Sequence, residues 1–148
     1  MNGDKIWEIR TFIYQHFAET TRAPHVDDVA SHFCLSHEEA VSAYRELHER
    51  HAFYLKPDTH EILMANPFSG VATPFKVHAN GRTYFANCAW DSLGIPAALY
   101  TDAEIEAACA QSGEPIRLRV MNQQVQGSEA LVHFLVPFRS WYNDLTYT

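Results

Sequence analysis

The sequence predicts an α+β fold, in which a winged-helix-like module of three helices and a hairpin (residues 1–66) precedes a small mixed β-sheet domain with short helices (residues 67–148). Three observations predict it. Apolar residues repeat with helical spacing near the N-terminus, Ser36 and Glu39 form a helix capping box, and Asn80-Gly81 lies between two strand-like segments. Together they place helices first and most strands afterwards.

Three helices are predicted in the first 50 residues. The first spans about Ile6 to Phe17, because its apolar residues recur at steps of three and four. A second fits residues 26–33, and the capping box begins a third that runs from about residue 37 to residue 50. The segments 53–55 and 62–64, separated by a Lys-Pro-Asp-Thr turn, complete the module as a hairpin.

The charge of this module argues against DNA as a partner. The predicted third helix carries four glutamates against two arginines, and residues 1–66 contain eleven Asp or Glu against six Lys or Arg. Phosphate contacts need clustered Lys and Arg, and the whole chain has a net charge of -7. We therefore expect a structural or interaction module and no nucleic-acid partner.

The second part is predicted to consist mainly of strands. Residues 66–70 are predicted as a linker, and the Asn80-Gly81 turn joins strands at 75–78 and 82–85. A short helix from about Asn87 is expected to end at the breaker Leu93-Gly94-Ile95-Pro96. Further strands are predicted at 103–110, 116–121 and 130–136.

Composition narrows the class of protein. No apolar run approaches the roughly 20 residues that cross a bilayer, and the first residues do not resemble a signal peptide, which predicts a cytoplasmic protein with no membrane partner. Three widely spaced cysteines argue against a disulfide framework and a four-cysteine zinc site. The nine histidines show no metal-binding spacing, and no resident cofactor is expected.

The segment Cys88-Ala89-Trp90-Asp91 carries the clearest chemical signal. A thiol and a carboxylate at positions i and i+3 share one face if a helix begins near residue 87. The N–H groups of a helix start favour a thiolate, so the Cys88 thiol is expected to ionise easily. In the alternative interpretation, Asp91 is only a helix N-terminal carboxylate and Cys88 a small buried residue.

Residues Gly81 to Leu93 resemble the active-site segment of organomercurial (alkylmercury) lyases. That family has a hairpin ending in Gly-Arg, then a Cys-Ala-x-Asp-x-Leu motif and a Pro, as in this sequence. Downstream, Cys109 to Ile116 are similar to the family's cysteine-containing strand, Gly-x-Pro turn and following strand. The family also has a winged-helix-like N-terminal part that does not act as a DNA reader.

The resemblance implies a carbon–mercury lyase with mercury as substrate or product ion. It implies that Cys88 binds mercury, that Asp91 contacts the metal and relays a proton to the leaving carbon, and that Cys109 is structural. The family's second mercury-binding cysteine lies near its C-terminus, whereas no cysteine follows Cys109 here. A shortened form, a rearrangement of the remaining thiols, or a terminal strand outside this sequence would each account for the difference.

Two other functions stay open at this stage. In the first, the protein is a non-catalytic, metal-responsive winged-helix regulator in which Cys88 and either Cys109 or Cys34 bind a soft ion. In the second, Cys88 and Trp90 are packed in the core and the chemistry is absent. An aromatic and basic cluster near the end could cover the site, namely Phe138, Arg139, Trp141 and Tyr142. Oligomeric state is not predicted.

Overall fold

The computed structural model describes residues 3–127 and 129–143. Its helices are α1 (Gly3–Thr20), α2 (Val26–Phe33), α3 (His37–Glu49) and α4 (Ala89–Leu99), with a 3-10 helix at Phe138–Asn143. Its strands are β1 (Tyr54–Leu55), β2 (Ile62–Ala65), β3 (Phe68–Ser69), β4 (Lys76–Ala79), β5 (Arg82–Phe85), β6 (Ala103–Ala108), β7 (Pro115–Met121) and β8 (Gln124–Gln126). The α+β class is confirmed.

The first three helices form as the sequence predicts. The apolar stripe of α1 is completely buried, at Ile6, Ile9, Ile13 and Phe17. At the start of α3, the Glu39 N–H donates to Ser36 Oγ at 3.2 Å and the Ser36 N–H donates to Glu39 Oε2 at 2.8 Å, which confirms the capping box. The assignment of these elements to a winged helix stays a prediction.

The first sheet corrects the predicted linker. Strands β1, β2 and β3 form an antiparallel sheet in that order, so residues 68–69 are a strand rather than a connection. Two features hold β3 in place. The buried Phe68 ring stacks on Phe17 of α1 at 5.5 Å, and Gly70 lies so close to β2 that an added Cβ would collide with the Ile62 carbonyl oxygen. The predicted division of the chain at residue 66 stays a prediction.

The second sheet has the strand order β5-β4-β6-β7-β8. Asn80 and Gly81 adopt positive φ angles of 52° and 72° between β4 and β5, which confirms the predicted hairpin. All of its described pairings are antiparallel, so the prediction of a mixed sheet is wrong in that detail. Hairpin connections make the pairs β4–β5, β6–β7 and β7–β8 antiparallel, whereas β6 pairs with β4 only after the chain has passed through β5 and α4.

Helix α4 does not end at the predicted breaker. It continues through Gly94 and Pro96 to Leu99. Ile95 and Pro96 are buried, and α4 packs on β4 and β6, so tertiary contacts offset the helix-breaking tendency of proline. Gly94 faces the β2–β3 turn closely, since an added Cβ would be 3.0 Å from Pro67 Cβ. The helix is thereby fixed against both sheets.

The segment after β7 also differs from the prediction. Asn122 and Gln123, with φ angles of 51° and 64°, form a tight turn into β8, which pairs with β7. The edge of β7 is thus already occupied, and the predicted strand at 130–136 is wrong: residues 129–137 have no regular secondary structure. This segment instead brings the Phe134 ring against Trp90 in the first turn of α4.

Candidate active site

A cavity of about 220 Å³ lies beside the first turn of α4. Three parts of the chain line it: the β2–β3 region with the residues after it, the start of α4, and the segment after β8. The lining residues are Leu63, Met64, Asn66, Ser69, Val71, Thr73, Asn87, Cys88, Trp90, Asp91, Phe134 and Trp141. The surface is mainly apolar, and its ionisable groups are the Cys88 thiol and the Asp91 carboxyl.

The structure brings Cys88 and Asp91 together. Cys88 is the N-cap residue of α4, with extended backbone angles, and its Sγ accepts a hydrogen bond from the Asp91 N–H at 3.5 Å. The thiol also donates to Asp91 Oδ2 at 3.6 Å. The spacing of three residues therefore gives the shared face that the sequence predicts, with the thiol and the carboxyl within hydrogen-bond distance.

The prediction that the Cys88 thiol ionises easily is wrong. Burial raises the pKa of this thiol above its ordinary value, and the Asp91 carboxylate raises it further. The hydrogen bond from the Asp91 N–H lowers the pKa, as expected at a helix start, without cancelling the effect of burial. Cys88 is thus held mainly as a thiol until something removes its proton.

Asp91 is a half-buried carboxyl with two donors on one oxygen. Oδ2 accepts from the Cys88 thiol and from Asn87 Nδ2, the latter at 3.1 Å. Burial raises the pKa of Asp91, although both hydrogen bonds favour the carboxylate and lower it. A carboxyl in these surroundings accepts and returns a proton more readily than an exposed one.

Asn87 connects Asp91 to the β2–β3 turn. Its Nδ2 contacts three acceptors, Asp91 Oδ2, Asn66 Oδ1 at 3.0 Å and the Pro67 carbonyl at 3.4 Å. Three acceptors around one atom identify that atom as the nitrogen, because the opposite amide orientation would put an oxygen there. Asn87 Oδ1 is buried without a hydrogen-bond partner. Sequence reasoning missed this residue, and its only signal was its place beside Cys88.

Aromatic side chains form the remaining wall of the cavity. Trp90 is 56% exposed, which contradicts its interpretation as a core residue. Its ring meets Phe134 edge-on with centroids 6.0 Å apart, and Phe134 stacks on Trp141 at 5.3 Å. Trp141 belongs to the predicted aromatic cluster, whereas Phe134 was not foreseen. We call Trp90, Phe134 and Trp141 the aromatic wall.

The other two cysteines lie at different places in the fold. Cys34 is the C-cap residue of α2, with φ at 53°, and Cys109 lies in the connection between β6 and β7. Within residues 3–127 and 129–143, no group of three or more His, Cys, Asp or Glu side chains is arranged to hold a metal ion. Nor does this described part include a helix long and apolar enough to cross a membrane.

The family model for alkylmercury lyase, MerB, matches residues 68–148, which is more than half of the chain. The chain belongs to the alkylmercury lyase family. Both Cys88 and Asp91, with the whole aromatic wall, lie inside the matched range.

Individual alkylmercury lyases align over a shorter part of the sequence. The enzyme from Bacillus cereus is 36% identical over 70 residues, covering 45% of this chain and 32% of the relative. The one from Pseudomonas putida is 34% identical over 68 residues, covering 44% and 32% respectively. The match therefore spans about a third of the length of these curated alkylmercury lyases.

A solved structure of the family extends the likeness to the N-terminal helices. The mercury-bound form of MerB2 matches with a TM-score of 0.66 and 25% sequence identity, covering 87% of this chain and 61% of that chain. A coverage of 87% must include most of the N-terminal half of this chain as well as its C-terminal half.

Proposed function

We propose that the protein is an organomercurial lyase-like protein that binds R–Hg through the Cys88 thiolate and protonolyses the carbon–mercury bond with Asp91 as proton relay. One observation carries the proposal: the Cys88 thiol donates to the Asp91 carboxylate at 3.6 Å on the wall of an apolar cavity. Membership of the alkylmercury lyase family supports the choice of mercury.

The first step binds the substrate. Mercury is a soft ion and prefers thiolate over carboxylate or imidazole. As the sulfur–mercury bond forms, the thiol proton moves to Asp91 along the existing hydrogen bond, so R–Hg⁺ and the thiol become Cys88–S–Hg–R and a protonated Asp91. The raised pKa of Asp91 favours retention of that proton in the cavity.

The second step breaks the carbon–mercury bond. The proton on Asp91 moves to the carbon, and the electron pair of the carbon–mercury bond forms the new C–H bond. The products are R–H and Hg(II) bound to the Cys88 sulfur, with the regenerated carboxylate as a neighbouring ligand. Charge balances, because one positive charge enters with R–Hg⁺ and one remains on the bound mercury.

Mercury bound to Cys88 can accept a second soft ligand, and a thiol from solution could supply it. Among the three cysteines, Cys88 is the one that lines the cavity. A second soft ligand weakens the carbon–mercury bond and draws Hg(II) away from the protein, so we expect turnover to depend on added thiol.

Hydrocarbon release tests the proposal directly. The protein is incubated with methylmercury or phenylmercury and excess thiol, and methane or benzene is measured by gas chromatography. We expect release by the wild type, none above background for Cys88→Ser, and rates within about twofold of wild type for Cys109→Ser. A wild type that binds the organomercurial at Cys88 but releases no hydrocarbon is a soft-metal binder, and the catalytic proposal is then wrong.

A further inference from the structure

We propose that the aromatic wall binds the organic group of the substrate, so that arylmercury compounds are cleaved in preference to methylmercury. This inference rests on the proposed function and adds a substrate class to it. The three rings line the same cavity as the Cys88 thiol, and Trp90 follows Cys88 by two residues in the first turn of α4. A mercury atom on the Cys88 sulfur would therefore carry its organic group next to these rings.

The dimensions and chemistry of the cavity suit an aryl group. Its volume is about 220 Å³, and an apolar protein cavity of about 150 Å³ is known to bind benzene. Trp90 and Phe134 lie edge to face, at an interplanar angle of 63°, while Phe134 and Trp141 stack at 27°. A planar ring can make either kind of contact with them, and a methyl group can make neither.

The exposure of the aromatic wall is a second reason. Trp90 is 56% exposed and Phe134 is 39% exposed. Exposed aromatic groups that adjoin one another beside a nucleophile form an apolar patch, and such patches commonly bind ligands. An aryl group bound there would cover surface that water now contacts.

Contacts outside the cavity hold the wall in position. The Trp141 indole N–H donates to the Val136 carbonyl at 2.9 Å, which satisfies its polar atom. Phe138 contacts Trp141 at 5.0 Å, and the next ring, Tyr142, packs against His51 at 4.5 Å. The segment is thus attached to the region after α3, so the rings need little ordering when a substrate binds.

The test compares two substrates on matched variants. The value of kcat/KM is measured for phenylmercury and methylmercury with the wild type, Trp90→Leu, Phe134→Leu and the control Trp7→Leu. Trp7 is an exposed tryptophan of α1, at 47%, that does not line this cavity. We expect Trp90→Leu and Phe134→Leu to lower the phenyl-to-methyl ratio about threefold to tenfold, and Trp7→Leu to leave it unchanged.

A second measurement does not require turnover. N-phenylmaleimide and N-methylmaleimide react with thiols in the same way, and mass spectrometry of the Cys88 peptide gives each rate. We expect the phenyl-to-methyl ratio of these rates to fall in Trp90→Leu and Phe134→Leu but not in Trp7→Leu. Equal ratios in wild type and both wall variants in this assay would overturn the inference. If the wild type releases no hydrocarbon while the maleimide ratio still falls in the two wall variants, only the lyase proposal is overturned.

Discussion

Two cysteines of this chain are each followed, three residues later, by a polar partner. The two pairs differ in their location, in their burial and in the direction in which the thiol pKa is shifted. Cys88 bonds to Asp91 at the edge of a cavity, and burial raises the pKa of its thiol. Cys109 lies partly exposed in the β6–β7 connection, where hydrogen bonds from Ser112 lower the pKa of its thiol. The more acidic thiol is therefore the one outside the candidate site.

This difference separates two requirements of the proposed reaction, a nucleophilic thiol and a group that can return a proton. A low pKa makes a thiol a good nucleophile, but a hydroxyl such as Ser112 cannot return a proton to a carbanion-like carbon at neutral pH. A carboxyl with a raised pKa can. The cavity, the carboxyl and the aromatic wall occur together at Cys88, whereas Cys109 lines no part of this cavity.

Removal of the proton relay should have the largest effect. Asp91→Asn keeps the size of the side chain but cannot carry the proton, so we expect hydrocarbon release to fall about a hundredfold to a thousandfold. Ser112→Ala at the other pair should remain within about twofold of wild type. Gas chromatography measures both rates, and mass spectrometry checks that Asp91→Asn still binds the organomercurial. If Asp91→Asn and Ser112→Ala lose similar amounts of activity, the two cysteine pairs do not differ in function and the prediction is wrong.

Asn87 should matter next, because it fixes the carboxylate oxygen that faces the thiol. Asn87→Asp has almost the same shape, but it replaces the donating Nδ2 with an oxygen opposite three acceptors, Asp91 Oδ2 among them. We expect kcat to fall about tenfold or more with little change in KM.

The companion variant Asn87→Ala removes the donor without adding charge. It should lower kcat less than Asn87→Asp does. Steady-state kinetics with circular dichroism as a folding control will show this order. Unchanged kcat in both variants would mean that Cys88 and the helix backbone alone position Asp91.

Cys109 should react with an alkylating reagent faster than Cys88, although Cys88 is the cysteine of the candidate site. At pH 8 a thiol with a raised pKa contains less thiolate than one with a lowered pKa, so iodoacetamide should alkylate Cys109 at least about threefold faster than Cys88. Asp91→Asn removes a charge that raises the pKa of Cys88 and should speed its alkylation. Peptide mass spectrometry over time gives both rates. Faster labelling of Cys88 than of Cys109 in the wild type would contradict the burial argument.

The smallest effect concerns stability. Cys88 is the N-cap residue of α4, and Ser is a good N-cap residue whereas Ala is not. We expect Cys88→Ala to be about 0.5–1 kcal/mol less stable towards urea than Cys88→Ser. Both variants lack the thiol, so both should be inactive. If Cys88→Ser is inactive at full stability, loss of activity cannot be attributed to loss of folding.

Local signals made much of the fold predictable. The apolar stripe of α1, the Ser36–Glu39 capping box and the Asn80-Gly81 turn each depend on neighbouring residues, and each forms as expected. The predictions were wrong where contacts between distant parts of the sequence decide the structure. Helix α4 passes through Pro96 because both sheets hold it, and β8 forms where the residues of its turn, Asn122 and Gln123, gave a weak signal.

The candidate site was predictable to the extent that it is local. Helical spacing placed Cys88 beside Asp91, but it could not show that the pair is buried, and burial reverses the expected direction of the thiol pKa. Phe134 reaches the cavity from more than 40 positions away in the sequence. No short-range pattern specifies such a contact.

The cavity wall built by Leu63, Met64 and Asn66 lies before the first residue of the alkylmercury lyase match, which begins at residue 68. A fragment cut at that border would keep the thiol and the carboxyl but would lose three lining side chains and two acceptors for Asn87, Asn66 Oδ1 and the Pro67 carbonyl. Moving the segment that carries Cys88 and Asp91 into another scaffold therefore requires moving the preceding β2–β3 hairpin with it.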